Sequence, residues 1–320
     1  MSCVLPGVDD VFASLVWLVS ILISDDLPTL LRPMKAYSGL SGLGALSREV
    51  LLIKNLAERI SIACCSVLLQ TMKSAGNGTG TIVVPDAGSN LSKKAQVADM
   101  FNHIAGRYDF LNHFLSLGID KGWRKKAIAE IGKINPKKIL DVATGTGDLA
   151  IAAMVLKPEK ITGVDIADQM LEVGRKKLIA QNLSHIITLE NGDSEALPFE
   201  TGSFDAVTCA YGVRNFEHLE AGLKEMNRVM RPGGRMAILE FSHPKAFPVK
   251  QLYRFYFKYI LPTLGKMVSK HSNAYTYLPA SVMAFPEGKV FCDTLTRCGF
   301  KEAKARPLTF GITTLYTAVK

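Results

Sequence analysis

No apolar stretch of this 320-residue chain approaches the ~20 residues a membrane-spanning helix needs. Val11 to Ile23 has 13 residues and is interrupted by two serines. Asp9 and Asp10 stand just before it in place of a basic segment, which makes it a poor secretory signal. The six cysteines form no C-x-x-C pair and none has zinc-ligand spacing to a histidine. Cys64 and Cys65 are adjacent, a poor basis for a disulfide framework. Reduced thiols, a cytoplasmic location and no metal site are therefore expected. Cys209, inside an apolar strand, reads as a small core residue. The net charge is +9, yet the lysines and arginines are dispersed along the chain, in short groups such as Lys93-Lys94 and Lys137-Lys138. With no basic run and no nucleic-acid motif, a solvated basic surface is expected and nucleic acid is not. No internal repeat is evident.

Hydrophobic residues make up 48% of the chain, ample for a globular core. Residues 1–90 read as an amino-terminal extension, poorly ordered or partly helical. Val50 to Leu69 is apolar with Lys54, Glu58 and Arg59 interspersed, as in an amphipathic helix. Two accounts stay open: a membrane-surface extension, or translated upstream sequence preceding a start at Met72.

Residues 91–320 read as one domain. Helices are expected over 93–104, 123–131, 148–156, 168–180, 217–230 and 286–298. Strands are expected over 139–142, 161–164, 186–189, 204–209 and 236–241, with two late strands near 299–305 and 312–319. The turn Arg231-Pro232-Gly233-Gly234 stands before the fifth strand, and an aromatic-rich helical insert covers about 247–261. Strands alternating with helices predict a parallel sheet covered on both faces. Ligands bind such sheets at the carboxyl ends of the strands. Asp141, Asp165, Asp193 and Tyr211 fall at or just after such ends.

The segment Ile139-Leu140-Asp141-Val142-Ala143-Thr144-Gly145-Thr146-Gly147-Asp148 is a buried strand, a glycine turn and a helix start. A second strand ends in Asp165, 18 residues past Gly147. Glycines permit close approach of backbone to ligand, and the acid suits ribose hydroxyls. Gly145-x-Gly147-x-x-Ala150 also fits the dinucleotide pattern, so an NAD-dependent oxidoreductase stays open here. A pyrophosphate favours a helix N-terminus free of acids. Asp141 and Asp148 flank this turn and no Lys or Arg lies within it, which suits a cationic nucleoside such as S-adenosylmethionine. Asp148 is equally well placed as a plain helix cap.

Two longer signatures carry more. One is Tyr108-Asp109-Phe110-Leu111-Asn112-His113-Phe114-Leu115-Ser116, continuing to Trp123. The other is Arg228-Val229-Met230-Arg231-Pro232-Gly233-Gly234-Arg235 through Ser242. Between them stand Gly192-Asp193-Ser194-Glu195-Ala196-Leu197-Pro198-Phe199 and Tyr211-Gly212-Val213-Arg214-Asn215. From about residue 95 to 320 the chain resembles the ubiquinone/menaquinone biosynthesis C-methyltransferases. It departs from them at Leu111, where Met is usual, and at Asp120, where His is usual. The first swap conserves volume; the second removes any role carried by a histidine there.

The resemblance implies a Rossmann-like class I S-adenosylmethionine-dependent α/β fold with a mostly parallel seven-stranded sheet. It implies C-methylation of a polyprenylated quinol, most simply demethylmenaquinol to menaquinol, with a benzoquinol or another lipid-like acceptor as alternatives. Thr146 and the backbone of Gly145 and Gly147 are expected at the methionine end of the cofactor, Asp165 at the ribose, and Asp193 with Ser194 at the adenine, with Asp141 a further cofactor-binding residue. Arg214 and Asn215 are expected at the quinol oxygens, with Arg214 otherwise a surface ion pair to Glu217 or Glu220. Tyr108 and Asp109 are expected as substrate contacts or lid residues. The aromatic insert Leu252 to Pro262 is either a wall for the prenyl tail or plain core, and also suits peripheral contact with the inner membrane face. Homodimerisation stays open.

Overall fold

The computed structural model describes residues 83–116, 118–255 and 273–320. The expectations for residues 1–82, and for the insert beyond 255, lie outside them.

Lys93–Leu115 (α1) and Ile119–Gly132 (α2) precede a regular alternation. It runs Lys138–Val142 (β1), Asp148–Ala153 (α3), Lys160–Asp165 (β2), Asp168–Ala180 (α4), Ile187–Asn191 (β3), Phe204–Ala210 (β4), Leu219–Val229 (α5) and Met230–Phe241 (β5). Val249–Phe255 (α6), Asn273–Ala284 (α7), Lys289–Arg297 (α8), Lys301–Leu308 (β6) and Thr313–Val319 (β7) complete it. The seven strands form one sheet in the order β3-β2-β1-β4-β5-β7-β6. The first five are parallel. β7 runs antiparallel to both its neighbours, from Arg235↔Val319 to Phe241↔Thr313 on the β5 side.

Strands covered on both faces should be apolar at successive positions rather than alternate ones, and they are. In β1, Leu140 and Val142 face a core built with Leu223, Met226, Phe291 and Leu295 of α5 and α8. Ile139 faces the opposite core, with Trp123, Ile128, Leu149, Leu171 and Leu178 of α2, α3 and α4. In β5, Met236 and Ile238 go to the first core, Ala237 and Leu239 to the second. Each of these strand residues is at most 1% exposed, so a one-residue slip in register would exchange the two cores.

Three expectations shift. α1 continues past 104, through Gly106, to Leu115. The Pro-Gly-Gly element lies inside β5 as a bulge. Phe204 pairs with Met230 and Ala206 with Arg235, so residues 231–234 loop out of the ladder. Gly233 takes φ +76°, and a Cβ on Gly234 would sit 2.8 Å from the Asp205 carbonyl. α7 is a helix the sequence does not announce: it contains Pro279, a residue that argues against a helix interior.

Candidate active site

At the carboxyl ends of β1, β2 and β4 a pocket opens beneath α1. Ala143 after β1 and Tyr211 after β4 both take left-handed backbone, φ +53° and +59°. Such conformations are unfavourable for residues with a Cβ and gather at functional sites. Gly212 is dictated by crowding: a Cβ there would lie 2.4 Å from the Ala143 Cβ and 2.8 Å from the Cys209 Sγ. Cys209 is buried, and its thiol is pushed well up by that burial, which fits packing rather than nucleophilic work.

Of the expected cofactor residues, Gly145, Asp165, Asp193 and Ser194 line the pocket. Asp165 Oδ2 accepts the Gly145 N–H at 2.8 Å and Oδ1 accepts the Ala167 N–H at 2.9 Å. Each oxygen keeps lone-pair capacity for a hydroxyl. Burial raises the carboxyl's pKa, and the backbone donors pull against that. Asp193 Oδ2 meets Lys94 Nζ at 2.5 Å, so the start of α1 is tied across the far end of the pocket.

Asp141 and Thr146 are placed otherwise. The Asp141 carboxylate is 1% exposed and turned into the sheet. It accepts the Thr144 hydroxyl at 2.6 Å and the Thr208 hydroxyl at 2.7 Å. Burial lifts its pKa to about 6 against the pull of those two hydroxyls. Thr146 is also buried, and its Oγ1 donates to Asp109 Oδ1 at 2.5 Å. Lys177 Nζ meets Asp109 at 2.8 Å, Asp148 at 2.6 Å and Thr146 at 3.0 Å. Arg124 meets Asp148 at 2.7 Å and also pairs with Asp120. Asp109 is thus part of a clamp that fastens α1 to the glycine turn, α2 and α4. Asp120, where a histidine is usual, serves the same clamp.

The two acids that flank the glycine turn are therefore both engaged within the protein. Asp148 is neutralised by residues 24 and 29 positions away, and Asp141 faces the interior. The pocket nonetheless carries the right sign. Asp165, Asp193, Glu195 and Glu217 line it against a single lysine, Lys94. Four carboxylates to one ammonium suit a sulfonium nucleoside and oppose a pyrophosphate.

Beside this pocket lies a second cluster. Arg214, in the 3₁₀ turn Val213–Asn215, has its side chain only 8% exposed. Its Nη1 donates to Glu240 Oε1 at 2.8 Å and to the Tyr211 carbonyl. The guanidinium stands 5.6 Å over the Phe241 ring. The partner is neither Glu217 nor Glu220. It is Glu240, fully buried near the end of β5. Burial pulls the Arg214 pKa down, but Glu240 and the nearby Tyr108 and Tyr277 raise it more, so the cation is secured. Glu240 escapes a reading of the sequence, although a lone carboxylate in the apolar run Met236 to Phe241 is a signal that a buried cation must be near. Arg214 Nε and Asn215 Oδ1 are buried without hydrogen-bond partners. Tyr108 lines the cofactor pocket and packs edge-on to Phe101, centroids 5.9 Å apart.

A larger cavity, about 430 Å³, lies near the start of β5 and is lined by Glu130, Lys133, Arg235 and Arg306. Its charges answer one another: Glu130 meets all three bases at 2.5 to 3.8 Å. It is remote from the strand carboxyl ends where the unpartnered groups gather.

A parallel sheet completed by an antiparallel seventh strand, with an acid on β2 and an acidic nucleoside pocket, defines a class I S-adenosylmethionine-dependent methyltransferase. The profile of the ubiE/COQ5 methyltransferase family matches residues 89–320. The chain belongs to that family, and its methyl donor is S-adenosylmethionine. A demethylmenaquinone methyltransferase of Bacteroides fragilis is 50% identical over 234 residues, covering 72% of this chain and 96% of that protein. One of Porphyromonas gingivalis is 46% identical, covering 71% and 94%. A ubiquinone/menaquinone biosynthesis C-methyltransferase UbiE of Geotalea daltonii is also 46% identical, covering 71% and 97%. Among solved structures, a methyltransferase from Thermotoga maritima superposes with a TM-score of 0.46 at 18% identity, covering 69% of this chain and 99% of that one.

Proposed function

We propose that the protein methylates a ring carbon of a polyprenylated quinol, converting demethylmenaquinol to menaquinol. The observation that carries this is the Arg214–Glu240 pair. A guanidinium is held buried and charged, with Nε unsatisfied, one turn from the cofactor pocket. The names of the Bacteroides and Porphyromonas relatives support a naphthoquinol over a benzoquinol.

S-adenosylmethionine, when bound, supplies an electrophilic methyl carbon on sulfur. The quinol must supply a nucleophilic ring carbon, and a phenol of pKa ≈ 10 is mostly neutral at pH 7. Arg214 lowers the cost of the phenolate by placing a fixed cation in a dry site. When the ring carbon takes the methyl group, the carbon–sulfur bond breaks with its electron pair left on a neutral thioether, and the ring carbon then gives up its proton to water to restore aromaticity. Arg214 remains protonated throughout and acts as a stabiliser, not a base. Asn215, from the same turn, offers a hydrogen bond to a quinol oxygen. Asp165 and Asp193 would hold the ribose and adenine ends of the cofactor, and so position its methyl group for the acceptor carbon. The catalytic unit on this reading is residues 91–320.

Among the described residues no helix is long and apolar enough to cross a membrane. Contact with the quinone pool falls to α6 and the chain before it. Phe247 and Leu252 are 81% and 40% exposed there, beside Lys245 and Lys250. An apolar tip flanked by bases suits the anionic inner face of a membrane.

The test is methyl transfer to a demethylated naphthoquinol and to a benzoquinol side by side, with faster turnover of the naphthoquinol expected. Asp165→Ala should lose cofactor binding. Arg214→Ala should keep it and lose turnover. Because that variant leaves Glu240 buried and unpaired, Arg214→Met with Glu240→Gln removes the pair as a unit. Parental turnover in the double variant overturns the assignment.

A further inference from the structure

We propose that Tyr277 is a substrate-contacting hydrogen-bond donor of the acceptor site, acting beside Arg214 on the same phenolate oxygen. This rests on the quinol reading above.

Tyr277 lies on α7, which packs against the Val213–Asn215 turn. Its side chain is 4% exposed and its hydroxyl is buried with no hydrogen-bond partner. Two other tyrosines, the half-buried Tyr211 and the buried Tyr316, have their hydroxyls paired. Tyr211 shares a hydrogen bond with Thr313 Oγ1 at 3.2 Å, and Tyr316 accepts the Gly288 N–H at 2.8 Å. A buried hydroxyl left unpaired costs about 1–3 kcal/mol and calls for a reason. Here it has company: Arg214 Nε and Asn215 Oδ1, also buried and unpaired, lie on the turn that α7 covers.

The three atoms form a chemical pattern. Arg214 Nε and Tyr277 Oη are donors, and Asn215 Oδ1 is an acceptor. A quinol that has lost one proton presents the complement, one oxyanion and one hydroxyl. Burial lifts the Tyr277 phenol to about 12, while Arg214 pulls it down and Glu240 pushes it up. Tyr277 therefore stays protonated at working pH and is available only as a donor or through its lone pairs. Its ring also lies within electrostatic reach of the Arg214 cation. A neutral donor next to a fixed cation is the arrangement that stabilises an oxyanion without reorganisation.

The test is Tyr277→Phe in the full-length protein, with S-adenosylmethionine affinity, kcat and KM for the demethylated naphthoquinol, thermal midpoint and the pH–rate profile measured together. We expect unchanged cofactor affinity, kcat lower by about 10- to 100-fold, and the rising limb of the profile moved to higher pH. We also expect an unchanged or higher thermal midpoint, since the variant deletes an unpaired buried group. Tyr316→Phe, which loses a hydrogen bond already made, should lower the midpoint and leave kcat alone. Parental kcat and pH profile in Tyr277→Phe would refute the proposal. So would a fall in kcat matched by a fall in midpoint and cofactor affinity, which marks a packing role. If the parent protein methylates neither quinol, the functional reading fails instead; parity of variant and an active parent sinks only the role of Tyr277.

Discussion

Replacing Asp141 by an asparagine should stabilise the protein at neutral pH and leave cofactor affinity unchanged. The carboxylate sits in the sheet interior with two threonine hydroxyls as its side-chain partners and no cation among them. Burial raises its pKa from 3.8 to about 6. A folded-state pKa above the unfolded one means that the native protein binds the proton more tightly. The resulting stability is fully present below pH ~4 and is lost as pH rises through 6. About two pKa units at 1.36 kcal/mol each give roughly 3 kcal/mol that ionisation removes by pH 7. An amide cannot ionise, and its oxygen still accepts one hydroxyl while its NH₂ donates to the other. Urea denaturation of parent and Asp141→Asn between about pH 4 and pH 7.5 reads the effect, because titrating groups that do not interact with Asp141 cancel in the difference. The difference should grow in favour of the variant as pH rises, by about 3 kcal/mol across that window. A difference that is flat with pH would show that Asp141 does not carry a buried charge. A large loss of S-adenosylmethionine affinity would return it to the cofactor site.

Gly212→Ala should lose at least about ten-fold in turnover and destabilise the fold by about 1–3 kcal/mol, since its Cβ would overlap Ala143 and Cys209; equilibrium unfolding and steady-state kinetics check both. Lys177→Met should weaken S-adenosylmethionine binding by roughly ten-fold, because Asp109, Asp148 and Thr146 lose the ammonium that fastens α1 over the turn; calorimetric titration reads it, and unchanged affinity would mean that the clamp does not govern the pocket. A chain begun at Met72 should methylate at the full-length rate, since the family match starts at residue 89; a lower rate would give the preceding segment a part in the reaction.

How much is legible in the sequence depends on the distance between partners. The glycine turn and Asp165 are readable because strand, turn and acid are local. Helix α4 is readable from end to end, 168–180, because its apolar period runs from cap to cap. The work of Asp148 is hidden because Arg124 and Lys177 reach it from two other helices. Arg214 stands out by motif, but its partner does not: Glu240 lies 26 residues on, and only the adjacency of β4 and β5 joins them. Tyr277 carries no motif at all. It becomes informative only when its hydroxyl proves to have no partner while Tyr211 and Tyr316 have theirs.

The place of β7 has a consequence for biosynthesis. β6 precedes it in the chain yet lies outside it in the sheet, so β6 has no native neighbour to pair with until β7 has been made. A nascent chain on the ribosome can pair β1 to β5 and must then wait, with the long edge of β5 bare. Such an edge recruits strands from other chains. The interval between synthesis of β5 and arrival of β7 is therefore when this protein most needs a chaperone, and a message truncated before residue 313 would yield a product that never leaves that state.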